Sequence, residues 1–320
     1  MKSRIIATGS YVPEKIVSND DLSNYMDTND EWITQRTGIK NRRFESVSNH
    51  HMALSASLNA IQGMDIESID CIVVCTFTPD NFIPTNANLI KKDLGIKRHI
   101  PCFDLNAACS GFVYGLQVVD ALLISKMYNR ILLVGSDFNS RYMDFTDRST
   151  SILFGDGAGA VVMELAERGI VETVLYGQDD VEDSITMPNL SPFSNPFVHD
   201  VQSDQAFFEM KGSTVFRFAI KAFTSSIKTL LKNNNLTVDD IDYIISHQAN
   251  ERIIESCAKS LKMDVSKFPM NLQEYGNTSA GSIPIVLDEI VRDGRLKKEM
   301  KIIVVAFGGG LTYGASLIEW

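Results

Sequence analysis

Cys109 is the residue in this chain whose type and setting best suit covalent chemistry. It lies in Phe103–Leu116, F-D-L-N-A-A-C-S-G-F-V-Y-G-L, where an apolar strand-like run meets the start of a helical run. A thiol in the first turn of a helix feels the positive end of the helix dipole, which favours the thiolate. The pattern therefore predicts a nucleophilic cysteine that forms a thioester. The alternative is a buried structural cysteine, because free cysteines are among the most buried residue types.

Three later segments could supply partners for this thiol. His247 in I-I-S-H-Q-A-N ends a strand-like run, and Asn277 in Y-G-N-T-S-A-G-S-I-P lies in a loop that leads into a helix. The run Ala306–Leu311, A-F-G-G-G-L, follows the last long strand, and its glycines let backbone N–H groups point at a ligand oxygen. Each segment has a structural alternative: a histidine that only makes a structural hydrogen bond, an asparagine that caps a helix, and a glycine run that forms a turn.

An internal repeat relates the two parts of the chain. The run E-S-I-D-C-I-V-V resembles D-D-I-D-Y-I-I-S, with Ile69 matching Ile241, and N-R-I-L-L-V-G resembles M-K-I-I-V-V-A, with Val134 matching Val305. The two matches have nearly the same offset. We therefore expect two similarly folded halves, 1–167 and 168–320, the first with Cys109 and the second with the histidine and asparagine.

Apolar β-branched runs alternate with helical patterns in each half, which predicts an α/β protein with largely parallel sheets covered on both faces. The strand candidates are Cys71–Thr76, Ile131–Gly135, Ala158–Glu164, Tyr243–His247 and Ile302–Phe307. The helix candidates are Met52–Ile61, Ser110–Ser125, Val215–Asn233, Glu251–Leu261 and Ser282–Arg292. The helix after Cys109 is apolar on every side, so we expect it to be buried. Catalytic groups gather at the carboxyl ends of strands in open α/β sheets, where the four candidate segments fall.

Composition narrows the class of protein. The chain has 320 residues, 44% of them hydrophobic, and no apolar run long enough to span a bilayer. The formal net charge of −10 argues against nucleic acid as the main partner. The five cysteines form neither a C-x-x-C pair nor a zinc spacing, which suits a reducing cytoplasm. We therefore expect a cytoplasmic protein that binds neither a metal nor a membrane.

Together the motifs resemble those of β-ketoacyl-acyl carrier protein synthase III, a condensing enzyme of the thiolase superfamily. The resemblance runs through F-D-L-N-A-A-C-S-G-F, D-R-S-T-S-I-L-F-G-D-G-A-G-A, H-Q-A-N, Y-G-N-T-S-A-G-S-I-P and A-F-G-G-G-L-T-Y-G, with D-E-W-I-T-Q-R-T-G-I near the start. It implies a thiolase-like fold of two pseudo-repeated halves in five layers, α-β-α-β-α, and a homodimer. It also implies a decarboxylative condensation of an acyl-CoA primer with malonyl-acyl carrier protein, which initiates type II fatty acid synthesis without a cofactor.

The resemblance also implies roles for the candidate residues. Cys109 would attack the acyl-CoA carbonyl, with the N–H groups of Cys109 and Gly309 forming an oxyanion hole. His247 and Asn277 would donate hydrogen bonds to the malonyl thioester oxygen, where enolate charge develops once CO2 leaves. The positions that would contact CoA are Trp32, Arg36, Arg148, Gly212 and Asn250.

Two further sets of residues follow from the resemblance. Arg217, Arg252 and Lys259 match basic positions that would meet the acidic carrier protein, although a run of charges is usually a solvated face. The segment T-P-D-N-F-I-P matches a loop whose tip enters the acyl pocket of the partner subunit. Many members have Phe where this chain has Ile83, so the primer could be longer or branched unless Phe82 compensates.

Three rival classes remain open at this point. A related thiolase-fold acyltransferase or a polyketide-type condensing enzyme would share the fold. A cysteine hydrolase with a Cys-His-Asn triad would turn over acyl thioesters or peptides without a malonyl donor. A non-catalytic acyl-binding protein would bind acyl-CoA without acylating Cys109.

Overall fold

The computed structural model describes residues 1–187 and 207–320. Its strands are β1 (Lys2–Tyr11), β2 (Ile16–Ser18), β3 (Asn41–Arg43), β4 (Cys71–Cys75), β5 (Cys102–Leu105), β6 (Arg130–Asp137), β7 (Gly157–Ala166), β8 (Ile170–Gly177), β9 (Ile185–Thr186), β10 (Glu209–Met210), β11 (Tyr243–Ser246), β12 (Lys301–Gly308) and β13 (Thr312–Glu319). Its α-helices are α1 (Asn19–Leu22), α2 (Asp30–Thr37), α3 (Asn49–Ala60), α4 (Asn86–Leu94), α5 (Gly111–Ile124), α6 (Gly212–Asn233), α7 (Glu251–Leu261), α8 (Leu272–Tyr275) and α9 (Ser282–Arg292).

Every strand and helix predicted from the sequence is present. The bounds of α7 and α9 agree with the prediction, and the other ends differ by up to three residues. Helix α6 begins at Gly212. The prediction began it at Val215 because the first turn of the helix carries no apolar periodicity. The spacing of apolar residues is therefore enough to locate the elements that carry the candidate site.

The strands form two main sheets. The first has the order β1-β7-β6-β4-β5, and the second has the order β11-β12-β13-β8. Only β4–β5, β4–β6 and β11–β12 pair in parallel, and the other neighbours are antiparallel. The prediction of largely parallel sheets is therefore wrong. The antiparallel pairs arise because β7 returns beside β6 and β13 returns beside β12, and because the edge strands β1 and β8 run against β7 and β13.

The two sheets and the helices form five layers, as expected. Successive residues of a strand point to opposite faces, so Ile72 packs with α3 and α4, whereas Val73 packs with α5. In the second sheet Ile303 packs with α6 and α7, whereas Ile302 faces the middle of the molecule. Helices α5 and α9 thus lie between the sheets, and the other long helices cover the outer faces.

The internal repeat is visible in the backbone. Helix α5 follows a 3₁₀ turn at Ala108–Ser110, and α9 follows a 3₁₀ turn at Ser279–Gly281. Both turns begin with a non-glycine residue in the left-handed region, with φ of 48° at Ala108 and 52° at Ser279. The separation between these two residues is the same as that between Val134 and Val305. The two middle helices are therefore equivalent elements of the repeat.

Helix α5 departs from its prediction in its last turn. Phe112, Val113 and Leu116 are fully buried, but Ile124 is 49% exposed. The helix thus passes out of the layer between the sheets and reaches the surface. The prediction that it is buried on every side is wrong there.

Among the described residues, no helix is both long and apolar enough to cross a membrane.

Gly135 allows the two halves to approach each other beside the candidate site. A Cβ atom at this position on β6 would lie 2.3 Å from the carbonyl oxygen of Ala280, in the turn before α9. We expect Gly135→Ala to lower the free energy of unfolding by about 1–3 kcal/mol, because the added methyl group must push backbone apart. Urea denaturation measures this change.

Gly177→Ala is the matched control, since a Cβ atom at this position on β8 would meet nothing within 4 Å. It should change the free energy of unfolding by less than about 0.5 kcal/mol. Equal stability of the two variants would contradict the role given to Gly135.

Candidate functional site

Cys109 lies where the first sheet meets the middle layer. Strand β5 ends at Leu105, the chain turns through Ala108–Ser110, and α5 begins at Gly111. Cys109 is partly accessible to solvent, and the Oγ atom of Ser279 lies 3.2 Å from its Sγ atom. The thiol therefore sits at the start of one middle helix and contacts the turn before the other.

The thiol of Cys109 is not primed as the sequence predicts. Burial raises its pKa to about 12, a hydrogen bond with Ser279 opposes this effect, and the charge of Asp137 adds to it. The expected net lowering of this pKa is therefore wrong, because loss of hydration is the largest influence on the thiol. The resting group is a neutral thiol that must lose its proton when it reacts.

His247 follows the last residue of β11 and is 1% exposed. Its Nδ1 atom lies 2.8 Å from the Oγ atom of Ser282, and its ring meets the ring of Phe307 edge to face at 5.3 Å. Burial lowers the pKa of the imidazole to about 3. The ring is therefore neutral at pH 7, and Nε2 is the nitrogen left for a ligand.

Asn277 is held by its backbone and by one side of its amide. Its N–H donates to the carbonyl oxygen of Leu153 at 2.8 Å, and its Oδ1 accepts from the N–H of Ser279 at 2.9 Å. This contact forms an Asx turn and not the helix cap considered from the sequence, because the N-cap residue of the following 3₁₀ turn is Thr278, whose side chain makes no capping hydrogen bond. Because Oδ1 is occupied, the NH2 group is the part of the amide available to donate into the cavity.

The glycine run lies against the nucleophile. A Cβ atom on Gly308 would be 2.8 Å from the backbone nitrogen of Cys109, so no side chain fits there. Gly309 follows at the start of a 3₁₀ turn and is close to the methyl group of Ala108. The run therefore packs against the backbone of the turn that carries the thiol.

One cavity of about 910 Å³ unites these groups. Cys109, His247, Asn277 and Gly309 all line it, although they come from four separate segments. Such a volume is in the range of pockets that hold drug-sized ligands. The arrangement can offer a thiol, a neutral imidazole and an amide to one substrate.

The predicted CoA contacts line the same cavity: Trp32, Arg36, Arg148, Gly212 and Asn250. The guanidinium groups of Arg36 and Arg148 lie 4.1 Å and 4.9 Å from the centre of the Trp32 ring. Arg148 pairs with Asp27 at 3.3 Å. A flat aromatic group flanked by two cations suits a ligand with a π-system and phosphates.

Asn250 has a structural task as well. Its Oδ1 caps α7 by accepting from the N–H of Arg252, and its Nδ2 donates to the carbonyl oxygen of Arg36. This side chain therefore ties α7 to the end of the helix that carries Trp32. Gly212 has open space around it, since a Cβ atom there would meet nothing within 4 Å.

The remaining predicted residues lie at or outside the opening. Phe82 lines the cavity of its own chain, whereas Ile83 is 89% exposed and does not line it. Arg217, Arg252 and Lys259 lie outside the lining, on α6 and α7, which pack against each other. These basic residues could contact a partner only from the surface beside the opening.

Several lining residues were not predicted. They form an apolar wall and are Phe77, Tyr142, Phe154, Ile185, Met187, Phe208 and Met210. They come from separate loops, turns and short strands, so no spacing in the sequence connects them. The sequence also carries a signal for three polar residues beside the site. Ser279 and Ser282 lie in the motif around Asn277, and Asp137 is a polar residue at a strand end.

Comparison with known proteins agrees with the geometry. Residues 103–178 match the family profile of 3-oxoacyl-[acyl-carrier-protein] synthase III, and residues 231–320 match the profile of its C-terminal part. The β-ketoacyl-[acyl-carrier-protein] synthase III of Clostridium acetobutylicum is 44% identical over 99% of this chain and 98% of that protein. The enzyme of Clostridium kluyveri is also 44% identical, over 99% of each chain.

Solved structures give the same result. A 3-oxoacyl-[acyl-carrier-protein] synthase III from Aquifex aeolicus superposes with a TM-score of 0.92 at 36% identity, covering 99% of this chain and 100% of that one. The priming β-ketosynthase of the R1128 polyketide pathway has a TM-score of 0.90 at 32% identity, covering 99% and 96%. The resemblance carried by the motifs is thus confirmed, and this chain belongs to the 3-oxoacyl-[acyl-carrier-protein] synthase III family of thiolase-fold condensing acyltransferases.

Proposed function

We propose that this chain catalyses the decarboxylative condensation of a short acyl-CoA primer with malonyl-acyl carrier protein through an acyl–Cys109 intermediate. The initiating condensation of fatty acid synthesis is the activity of the family to which it belongs. One observation supports the acyl-cysteine route most strongly: a single cavity is shared by the thiol, a neutral imidazole and an amide.

The first half-reaction is acyl transfer to the thiol. Cys109 attacks the carbonyl carbon of the primer, and the C–S bond to CoA breaks. The backbone N–H groups of Cys109 and Gly309 stabilise the oxyanion in between. Each such donor contributes about 3–4 kcal/mol of transition-state stabilisation.

The second half-reaction loses CO2 from the malonyl group and needs hydrogen bonds to the thioester oxygen. Asn277 donates from Nδ2, because its Oδ1 is held by the N–H of Ser279. The Ser282 hydroxyl donates to the carbonyl oxygen of Ser279, and His247 donates from Nε2 once this hydroxyl turns to donate to Nδ1 instead. An amide and a neutral imidazole stabilise the enolate without taking a proton, and the resulting carbanion attacks the acyl group on Cys109. The new C–C bond forms as the C–S bond to Cys109 breaks, and the released sulfur takes up a proton from solvent to restore the thiol. These steps use the chain's own groups and no cofactor.

The opening of the cavity suits both substrates. The ring of Trp32 and the two neighbouring arginines would hold the nucleotide end of CoA, and the pantetheine arm would pass Gly212 and Asn250 to reach the thiol. The basic side chains Arg217, Arg252 and Lys259 would attract the acidic carrier protein, although the whole chain carries a net charge of −10.

We also propose a homodimer in the cytoplasm. Strand β5 is an end strand of the first sheet, and Phe82 and Ile83, in the loop before α4, are 70% and 89% exposed. Large apolar side chains that are exposed together often mark an interface. In such a dimer the tip of this loop would reach the acyl pocket of the partner and limit the primer.

The polyketide enzyme among the structural relatives supports a second assignment, in which the same condensation primes a specialised pathway. The chemistry at Cys109 is the same in both cases. The carrier protein and the primer that react fastest distinguish them.

The first prediction from this proposed function concerns the acylated residue. After mixing with a panel of acyl-CoAs, intact-mass spectrometry should show one acyl group per chain, and Cys109→Ser should show none, because a hydroxyl is a far weaker nucleophile than a thiol. Cys102→Ser is the control, since Cys102 is the other cysteine that is partly accessible. Full acylation of the Cys109→Ser variant would overturn the assignment.

The second prediction separates the two half-reactions. His247→Ala and Asn277→Ala should each slow CO2 release from malonyl-acyl carrier protein by about 10²–10³-fold, because each removes one donor to the enolate oxygen. Acylation of Cys109 should slow by less than about tenfold. The exposed Asn24 provides the control variant Asn24→Ala. A hydrolase would instead release free acid steadily without any malonyl donor, and that result would contradict the proposal.

The third prediction concerns the primer. Ile83→Phe should shift competition between acetyl-CoA and isobutyryl-CoA towards acetyl-CoA, because a larger side chain at the loop tip leaves less room in the pocket of the partner. The ratio of the two acyl-enzymes, read by mass, measures the shift. An unchanged ratio would show that Ile83 does not limit the primer.

A further inference from the structure

We propose that Ser279 and Asp137 form a proton relay for the Cys109 thiol, in which the Ser279 hydroxyl takes the thiol proton and passes its own proton to the Asp137 carboxylate. This inference rests on the acyl–Cys109 chemistry proposed above and adds two residues to it. Ser279 touches the reacting sulfur, and Asp137 acts through Ser279.

The relay begins with a direct contact. The Ser279 hydroxyl donates to the Sγ atom of Cys109 at 3.2 Å, and in the relay it turns to donate to Asp137 so that the thiol can donate to Oγ. Ser279 is fully buried, and its backbone φ of 52° lies in the left-handed region. A serine held in that conformation costs free energy, so the surrounding structure must fix its position.

Asp137 lies at the other end of the relay, fully buried at the end of β6. Its Oδ1 accepts hydrogen bonds from the side chains of Thr76 and Thr78 and from the N–H groups of Phe77 and Thr78. Its Oδ2 accepts from the N–H of Ala280, the residue after Ser279, at 3.1 Å. The Ser279 side chain is near enough to this carboxyl group for a hydrogen bond from it to lower the pKa of Asp137. Oδ1 therefore accepts more hydrogen bonds than Oδ2, which leaves Oδ2 as the oxygen that can receive a proton.

The other titratable groups explain why a relay is useful. His247 and Asp80 also line the cavity with the thiol. Burial lowers the pKa of His247 to about 3, which makes it a weak base, and the Asp80 carboxylate accepts hydrogen bonds from the N–H groups of Asn49 and His50. Burial raises the pKa of Asp137, so its carboxylate holds a proton more readily than an exposed one. The remaining groups that Asp137 influences, Cys75 and Tyr142, have raised pKa values and stay neutral.

The proton balance closes over the first half-reaction. As the sulfur of Cys109 bonds to the acyl carbon, its proton moves to Ser279 Oγ and the former hydroxyl proton moves to Asp137 Oδ2. When the C–S bond to CoA breaks, the CoA sulfur takes a proton from Ser279, which is refilled from Asp137. The carboxylate is thus restored, and CoA leaves as a thiol.

Alkylation of Cys109 by iodoacetamide tests the relay without CoA, malonyl groups or carrier protein. The alkylation rate, followed by intact mass, should rise with pH as Asp137 loses its proton and then become independent of pH. As the pH approaches the pKa of the thiol, the rate should rise again because the free thiolate then carries the reaction. Ser279→Ala should slow alkylation at neutral pH by about 10²-fold, the usual size of a general-base contribution. Its rate should then rise tenfold per pH unit with no flat region.

Asp137→Asn distinguishes the relay from a purely electrostatic role, because the two roles predict opposite changes in the alkylation rate. If Asp137 acted only through its charge, which raises the pKa of Cys109, the neutral amide would speed alkylation. The relay requires that it slow alkylation instead. Because the buried amide could prevent folding, Ser279→Ala decides the question on its own if Asp137→Asn is not obtained.

Two further variants complete the design. Ser226→Ala is the matched control, because Ser226 is also fully buried and its hydroxyl has no hydrogen-bond partner among residues 1–187 and 207–320. It should reproduce the wild-type profile. In His247→Ala the flat region should survive. If it is lost there and kept in Ser279→Ala, the imidazole is the base and the relay is overturned. Acylation by acyl-CoA tests the proposed function separately, so failure of one proposal leaves the other measurable.

Discussion

The contact between the two turns that begin the middle helices is the constraint on which the site depends. The turn at Ala108–Ser110 carries Cys109, and the turn at Ser279–Gly281 packs directly against it. A Cβ atom on Gly111 would lie 3.6 Å from that of Ala280, and one on Gly135 would clash with the Ala280 carbonyl. Small residues at these positions let two equivalent elements of the repeat meet. The thiol, the serine hydroxyl and the asparagine amide are neighbours because of that approach.

Burial at this meeting point decides the protonation of every catalytic group. It raises the pKa of Cys109 to about 12 and lowers that of His247 to about 3, so both groups are neutral at pH 7. An ion pair of thiolate and imidazolium, which many cysteine hydrolases use, is disfavoured in such a cavity. The condensation suits it better, because decarboxylation needs hydrogen-bond donors rather than a base. The same dry surroundings strengthen each of those hydrogen bonds.

Much of this architecture could be predicted from the sequence, for identifiable reasons. Apolar periodicity located the strands and helices, and the repeat placed Cys109 in one half and Asn277 in the other. Burial of the thiol could not be predicted in the same way, because it results from packing of the second half against the first. The role of Asp137 was missed for the same reason: its nearest contact to the site, Ser279, is far from it in the chain.

A neutral resting thiol is also consistent with the chemical risks that such an enzyme meets. Oxidants and electrophiles react with the thiolate, so a cysteine with a raised pKa resists them while the cavity is empty. The proton then has to leave only when an acyl carbonyl lies against the sulfur. A relay through Ser279 meets this need, because it moves a proton over short distances inside the protein and leaves no net charge change in the buried site. Reactivity is thereby tied to the arrival of the substrate rather than to the field of the helix.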